Sequence, residues 1–273
     1  MARIARQVFA GFLLCAAAAA YATDPVAFVS DTQGDVVLDG VGRPPFLAEL
    51  LPGSRLVIAA GGGAAVMYVV SGEEYSLKGP GEFVVRTDGV KAEKGAAPSR
   101  RTTAIRVSAA TLVHTSKAAT ASLRMRGAPA PKAGRSGPVY PVNARIASLQ
   151  PTLRWIGEPD SEYSVVVTSA EGKDVFRGSA KGLSLRLPIR LTAGQSYFWI
   201  YSGAARGDSR FETLPSDAIA LAEKARAGAR TFADRVILAL VLQELGAIQD
   251  SREVWAQLAA ERPDIPELAG LSR

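Results

Sequence analysis

Short apolar runs separated by turn residues dominate the first part of the chain. Residues 65–70 form an apolar run that ends at Gly72, and residues 82–85 form another that leads into Gly89. Such runs recur roughly every ten residues, which is the spacing typical of short antiparallel strands closed by tight turns. We therefore predict an all-β domain over residues 23–126, in which no segment shows a convincing helical pattern.

Two later segments of this domain alternate between apolar and polar positions. Residues 105–109 and residues 121–125 both have a period of two, which is typical of half-buried strands. The segment 111–119 between them has neither a strand period nor a helix period, so its structure stays open. The two alternating segments are predicted to extend the β-structure to the end of the domain.

A second region shows the strand period after an interruption. Residues 127–141 are rich in Pro and Gly and are predicted to be a linker between two domains. In residues 142–214, Leu183, Leu185 and Leu187 alternate with polar residues. The pattern predicts a small β-sandwich over this range, so the expected fold is mainly β.

Aromatic residues in this second region carry a resemblance. Tyr197 begins an aromatic-rich strand just after the turn at Gly194. The region resembles the fibronectin type III and immunoglobulin-like sandwich, in which a tyrosine at the start of a late strand hydrogen-bonds back to the preceding corner. The resemblance implies that Tyr197 is that tyrosine. It also implies that Trp155 and Trp199 are core residues on facing sheets.

The apolar period becomes helical in residues 215–273. Thr231 and Asp234 have the spacing of a capping box, and apolar residues then recur on one helical face up to Gly246. These features predict a helix that begins after Thr231 and ends at the glycine.

A second helix is predicted to follow, with Asp250 and Glu253 as its own cap and Pro263 as its stop. The inward-facing Trp255 belongs to a set of residues with the spacing of a tetratricopeptide helical hairpin: Leu238, Ala239, Leu242, Gly246, Trp255 and Pro263. The pair resembles one such hairpin, although Ser251 and Leu258 stand where that family has small residues. One hairpin cannot stack into a solenoid, so we expect it to pack on its upstream helix or on a partner.

Three turn motifs stand out in the first domain: Gly34-Asp35-Val36, Leu51-Pro52-Gly53-Ser54-Arg55-Leu56 and Tyr75-Ser76-Leu77-Lys78-Gly79-Pro80-Gly81. In their order they resemble the FecR-like family, whose members carry a periplasmic β-domain. The glycines of these motifs stand where tight turns or close backbone approach require them. Classical members relay the state of an outer-membrane receptor through a membrane helix to a cytoplasmic segment. Here the one long apolar run has the features of a cleavable leader, so a detached sensor, adaptor or envelope scaffold is expected.

The first 22 residues have the features of a secretory signal peptide. Arg3 and Arg6 precede an apolar run too short to span a membrane, and cleavage is predicted after Ala22. Cys15 lies inside the apolar run after Leu14, which is unlike a lipid-attachment site. The expected mature chain is periplasmic or secreted, lacks cysteine and has no transmembrane segment.

The net charge of +6 does not by itself point to nucleic acid. The basic residues are scattered rather than clustered on one element, and export separates the chain from nucleic acid. A solvated basic surface or contact with an anionic envelope surface is expected. The predicted partner is another envelope protein or a cell-wall polymer.

Candidate catalytic and metal-binding groups are scarce. His114 is the one histidine, and it has no cysteine in the mature chain to complete a zinc site. Adjacent Glu73 and Glu74 point to opposite faces of a strand and cannot share a substrate; both are expected in solvent. We predict no catalytic residue, no metal site and no cofactor, and hence a protein that is not an enzyme.

Three hypotheses about function follow. The first is a periplasmic, non-catalytic FecR-like binding or signalling protein. The second is a binder of peptidoglycan or polysaccharide, in which Tyr197, Trp199 and Tyr201 form a sugar-stacking platform unless they are core residues; Tyr201, at the strand end, is the candidate for exposure. The third is a hydrolase that uses only Asp, Glu, Ser or Lys.

Overall fold

A computed structural model of the protein describes residues 24–102, 105–124 and 136–273. Over these residues the fold is mainly β, with several antiparallel sheets followed by a C-terminal helical region, as the sequence predicts. The predicted signal peptide, its cleavage after Ala22, and most of the predicted linker lie outside the described residues.

The first module contains nine strands. They are β1 (Ala27–Gln33), β2 (Val36–Leu38), β3 (Glu49–Leu50), β4 (Arg55–Ile58), β5 (Gly63–Tyr68), β6 (Glu73–Lys78), β7 (Gly81–Arg86), β8 (Gly89–Lys94) and β9 (Ser99–Thr102). One sheet has the order β3-β1-β5-β6-β9 and the other β2-β4-β7-β8, and all of their strand pairs are antiparallel. Alternate side chains of both sheets, among them Val66 and Phe83, share one buried core.

The four glycines of the FecR-like motifs all lie in or beside turns of this module. Two have a positive φ, and the other two lie close to neighbouring atoms. Gly53 has a φ of 98°, a region that side chains with a Cβ rarely enter, and Gly34 is likewise left-handed. A Cβ on Gly79 would overlap the carbonyl oxygen of Ala59, so that turn tolerates only glycine; Gly81 is similarly crowded.

The end of the first domain departs from the prediction. Residues 105–108 form no strand, and residues 109–124 form helix α1 (Ala109–Arg124). The predicted strands at residues 105–109 and 121–125 are therefore wrong. Leu112 and Ala119 of α1 are buried, because neighbouring helices cover a face whose apolar residues were too sparse to show a helical period.

The second module begins earlier than predicted. Its strands are β10 (Gly137–Tyr140), β11 (Ala144–Ile146), β12 (Thr152–Ile156), β13 (Glu162–Ser169), β14 (Asp174–Lys181), β15 (Ser184–Arg186), β16 (Ser196–Ser202) and β17 (Gly207–Thr213). The prediction that residues 127–141 are linker is thus wrong at its end, since β10 pairs with β12. Pro138 is tolerated in β10 because this is an edge strand.

The second module is sandwich-like, with sheets β10-β12-β15 and β11-β17-β16-β13-β14. Trp155 of β12 and Trp199 of β16 are buried between the two sheets, with ring centroids 6.4 Å apart. The Tyr197 hydroxyl accepts a hydrogen bond from the backbone N–H of Thr192 at 3.0 Å, so it ties β16 to the preceding corner.

Four helices form the C-terminal region. They are α2 (Ser216–Gly228), α3 (Phe232–Glu244), α4 (Ile248–Glu261) and α5 (Glu267–Leu271). The capping box of Thr231 and Asp234 is present at the start of α3. The predicted second cap is wrong, because α4 begins at Ile248 and Asp250 lies within its first turn.

A shared core joins the helices to the first module. Phe46, in the loop before β3, contacts Trp255 of α4 edge-on at 5.9 Å and Phe232 of α3 at 6.5 Å. Leu112 of α1 belongs to the same cluster. The helical hairpin therefore packs on elements of its own chain.

None of the helices in the described part of the chain is long and apolar enough to cross a membrane.

Candidate functional site

A groove runs between the second module and helices α2 and α4. It has a volume of about 450 Å³. We call it the arginine groove, after the charged side chains that line it. The residues that bear on its chemistry are Tyr140, Ser148, Thr152, Arg154, Arg186, Arg226, Asp250 and Glu253.

The floor of the arginine groove is a buried polar cluster. Asp250 of α4 accepts a short hydrogen bond from the Tyr140 hydroxyl through Oδ1. Its Oδ2 accepts a hydrogen bond from the backbone N–H of Ala147 at 2.6 Å. Burial, and then the charge of Asp250 and the hydrogen bond to it, raises the pKa of Tyr140 well above that of an ordinary phenol. Tyr140 thus remains a neutral donor at physiological pH.

Two of the arginines are already engaged. The Arg154 guanidinium lies over the Tyr140 ring at 4.9 Å and forms an ion pair with Glu253. Arg226 donates to the backbone carbonyl of Ala147 at 2.8 Å. Both side chains stay more than a third exposed, so each can still contact a bound group.

Arg186 is the available cation of the groove. It is exposed at the end of β15, where it lies directly opposite Thr152 of β12. It forms neither a hydrogen bond nor an ion pair with another described residue. A guanidinium offers two parallel N–H donors, which match the two oxygens of a carboxylate or phosphate.

The groove has a net positive charge, because Arg154, Arg186 and Arg226 outnumber Asp250 and Glu253. The Thr152 side chain adds a hydroxyl beside Arg186, which is a donor and an acceptor for a sugar or peptide group. The arrangement can hold an anionic, hydroxyl-rich ligand without any bond being made or broken.

The proposed exposure of Tyr201 is wrong. Tyr201 is 0% exposed and stacks on Trp155 with centroids 5.3 Å apart. The alternation of β16 puts Tyr197, Trp199 and Tyr201 on the core side of the sheet. No sugar-stacking platform can form from these three residues while the sandwich is folded.

The opposite face of β16 carries the exposed apolar residues. Phe198 is 46% exposed and Ile200 is 50% exposed. Ile200 lies opposite Val166 of β13, and Phe198 lies opposite Arg210 of β17. The aromatic residues on the core side of β16 carry the strongest sequence signal, but the same period of two places Phe198 and Ile200 together on the outer face.

The other candidate residues lie apart from the groove. His114 is exposed on α1. Glu73 is partly buried; it accepts a hydrogen bond from the Tyr75 hydroxyl and forms an ion pair with Arg100. The expectation that Glu74 is in solvent is wrong: its carboxylate is buried and binds Arg101 at 2.7 Å and 3.1 Å.

The buried pair has a structural role. Arg101 of β9 also contacts Asp234 of α3 at 2.8 Å, so one guanidinium joins the first module to the helices. Tertiary packing buries Glu74, and its charge is compensated by the arginine opposite it in the sheet.

The arginine groove could not be found from the sequence. The predicted linker contains Tyr140, the predicted helix cap contains Asp250, and the three arginines lie in three separate elements. No local spacing connects them. Across the described ranges, no three His, Cys, Asp or Glu side chains come close enough to hold a metal ion.

Comparisons with known proteins give no family assignment. No protein-family model and no curated protein matches the chain. One solved structure that it matches is titled "Biofilm associated protein - BSP domain", with 13% identity and a TM-score of 0.22. The match covers 72% of this chain and 31% of that one, so the chain spans less than a third of its length. At this level of similarity, neither fold nor function is transferred.

Proposed function

We propose that this chain is a non-catalytic binding protein of the cell envelope, exported to the periplasm or beyond, which holds an anionic cell-wall polymer in the arginine groove. The observation that carries the proposal is the exposed, unpaired guanidinium of Arg186 in a positively charged groove. Electrostatic attraction of this kind gives selectivity for acidic partners and weakens with salt.

The proposal includes the nature of the two β-modules. The first is proposed to be FecR-like because it has the turn glycines of the motifs and two antiparallel sheets. The second is proposed to be fibronectin III-like or immunoglobulin-like, on the Tyr197 back-bond and the facing Trp155 and Trp199. In this proposal the ligand binds on the surface between the second module and the helices, and no residue catalyses a reaction.

The groove fits a polymer with repeating carboxylates better than a small neutral sugar. The guanidinium of Arg186 has N–H donors without a protein partner. Glu253 holds Arg154 in place, and the Ala147 carbonyl holds Arg226. Prepositioned donors lose little side-chain entropy on binding. Peptidoglycan, whose peptides end in carboxylates, has the required chemistry.

Retention on purified peptidoglycan tests the proposal. The mature chain is incubated with sacculi at about 50 mM and about 300 mM NaCl, and the bound fraction is measured. We expect saturable binding that weakens with salt. Arg186→Gln is expected to weaken binding about five- to thirtyfold, since a charge-assisted hydrogen bond contributes roughly 1–2 kcal/mol.

The matched control is Arg206→Gln, which removes the same charge from an exposed loop outside the groove. It is expected to bind like the unchanged protein. If the two variants lose equal affinity, the attraction is only a net-charge effect. If the unchanged protein is not retained at low salt, the polymer proposal is wrong.

A second candidate function is an envelope adaptor that docks a partner protein on the outer face of β16. The half-exposed Phe198 and Ile200 favour it, because adjacent apolar residues on one sheet face are typical of contact surfaces. A photo-crosslinking residue at position 198 is expected to give one discrete adduct in intact cells. The control is position 221, where Leu221 of α2 has similar exposure. Equal labelling from both positions would contradict the adaptor function.

A further inference from the structure

A pocket of about 270 Å³ lies between the first module and the end of the helical region. Three segments build it: β1, the loop that carries Arg43 and Phe46, and the connection from α4 to α5. None of its lining residues belongs to the arginine groove. Its walls combine apolar side chains, among them Pro45, Phe46 and Ile265, with charged ones.

Most charges at the edge of this pocket are compensated. Arg262 binds Asp31 at 2.7 Å and Asp264 at 2.8 Å. Arg43 also reaches Asp264, at 3.4 Å. The Asp264 pKa is lowered to about 2, mainly by the hydrogen bond from Arg262, so this carboxylate is ionised throughout the physiological range. Two arginines therefore balance two aspartates.

Glu267 is the exception. It begins α5, lines the pocket and is only 8% exposed. Its side chain forms neither a hydrogen bond nor an ion pair with any other described residue. Among the described residues, the fully buried side-chain nitrogen and oxygen atoms that lack a hydrogen-bond partner are the indole nitrogens of Trp155 and Trp255. The carboxylate oxygens of Glu267 are therefore not sealed in the core, and the pocket is their route to solvent.

The Glu267 carboxylate is therefore a charge without a protein partner that can be reached from the pocket. Glutamate side chains that are mostly covered and lack a partner are rare in proteins. A cation that enters the pocket can pair with Glu267. Because Pro45, Phe46 and Ile265 also line the pocket, an alkyl stem on that cation gains apolar contact.

We propose that this pocket binds a primary ammonium group on a short alkyl chain, with Glu267 as its counter-ion. Such a group occurs on free alkylamines and on lysine side chains of a partner protein. The ammonium pairs with the Glu267 carboxylate, and the stem lies against Pro45, Phe46 and Ile265. The proposal does not depend on the arginine groove, so either can fail alone.

Calorimetric titration of the full mature chain with three probes tests the proposal. The probes are n-pentylamine, Nα-acetyl-lysine-N-methylamide and Nα-acetyl-norleucine-N-methylamide. We expect the first two to bind at the millimolar level and the uncharged norleucine probe to bind at least tenfold more weakly. Binding of the blocked lysine indicates a lysine side chain of a protein as the source, whereas binding of pentylamine alone indicates a free amine. If neither amine binds, the proposal is overturned.

Glu267→Gln provides the matched variant, and Glu49→Gln is its control. Glu49 is exposed in β3 and lies outside the pocket, so its replacement removes the same charge elsewhere. Glu267→Gln is expected to lower amine affinity at least tenfold and to leave the melting temperature almost unchanged, because the carboxylate has no protein partner to lose. Unchanged amine affinity, or a melting temperature that falls by several degrees, overturns the assignment of Glu267 as a ligand-binding residue.

Discussion

The Tyr140 hydroxyl donates a hydrogen bond to Oδ1 of Asp250, which joins β10 to α4 across 110 residues of sequence. The second oxygen of the same carboxylate accepts the Ala147 N–H. One side chain thus fixes the helical region to the first strand of the second module. The same contact forms the floor of the arginine groove, so groove shape depends on it.

Replacement of Asp250 is expected to destabilise the protein strongly. Asp250→Ala leaves the Tyr140 hydroxyl and the Ala147 N–H buried without an acceptor, which costs roughly 2–4 kcal/mol. Urea unfolding followed by circular dichroism measures the loss. Asp160→Ala, at an exposed loop position, is the control and is expected to change stability by less than about 0.5 kcal/mol. A similar small change for Asp250→Ala would show that the cluster contributes little.

Phe46 is expected to couple the first module to the helices. Phe46→Ala removes the ring that contacts Trp255 and Phe232, and truncation of a buried phenylalanine costs roughly 3–5 kcal/mol. Near-ultraviolet circular dichroism of the tryptophan bands and urea unfolding report the effect. Val41→Ala, at a 93% exposed position in the preceding turn, is the control. Equal stability of the two variants would contradict the shared core.

Stability is expected to fall at alkaline pH. Burial raises the pKa of Tyr68 to about 12, and its hydroxyl donates to the Arg86 carbonyl at 2.8 Å. Because the folded pKa exceeds the unfolded value of about 10, the stabilisation is complete below pH 10 and is lost as the pH rises towards 12. Phenolate absorbance at 295 nm measures the titration, and Tyr68→Phe should remove a step near pH 12. A Tyr68 that titrates near pH 10 in the folded protein would contradict this.

Tyr201 is expected to affect folding rather than ligand contact. Tyr201→Ala opens a cavity beside Trp155 and is expected to cost roughly 3–5 kcal/mol. Tyr201→Phe keeps the buried ring and should bind peptidoglycan like the unchanged protein. Thermal melts and sacculus retention of both variants provide the measurements. Weaker retention by a stable Tyr201→Phe would return this residue to the binding surface.

Periodicity predicted the elements that have strong local signals. Turn glycines predicted the ends of short strands. The alternation of β16, together with Trp155 and Trp199, indicated a two-sheet core. Thr231 and Asp234 predicted the start of α3. It failed at α1, whose apolar residues are few and whose burial comes from helices far along the chain. The prediction that Asp250 caps a helix was wrong, because the local sequence is the same whether an aspartate caps a helix or accepts hydrogen bonds from distant residues.

The sequence by itself determined a mainly β chain with a helical end, since strand and helix periods and turn residues act over a few neighbours. Tertiary structure alone decided which charges are free. Arg186 and Arg101 look alike in sequence, yet one is unpaired in a groove and the other joins Glu74 to Asp234. The reason is physical: the partners of a charge are set by packing between distant elements, and no local pattern records them.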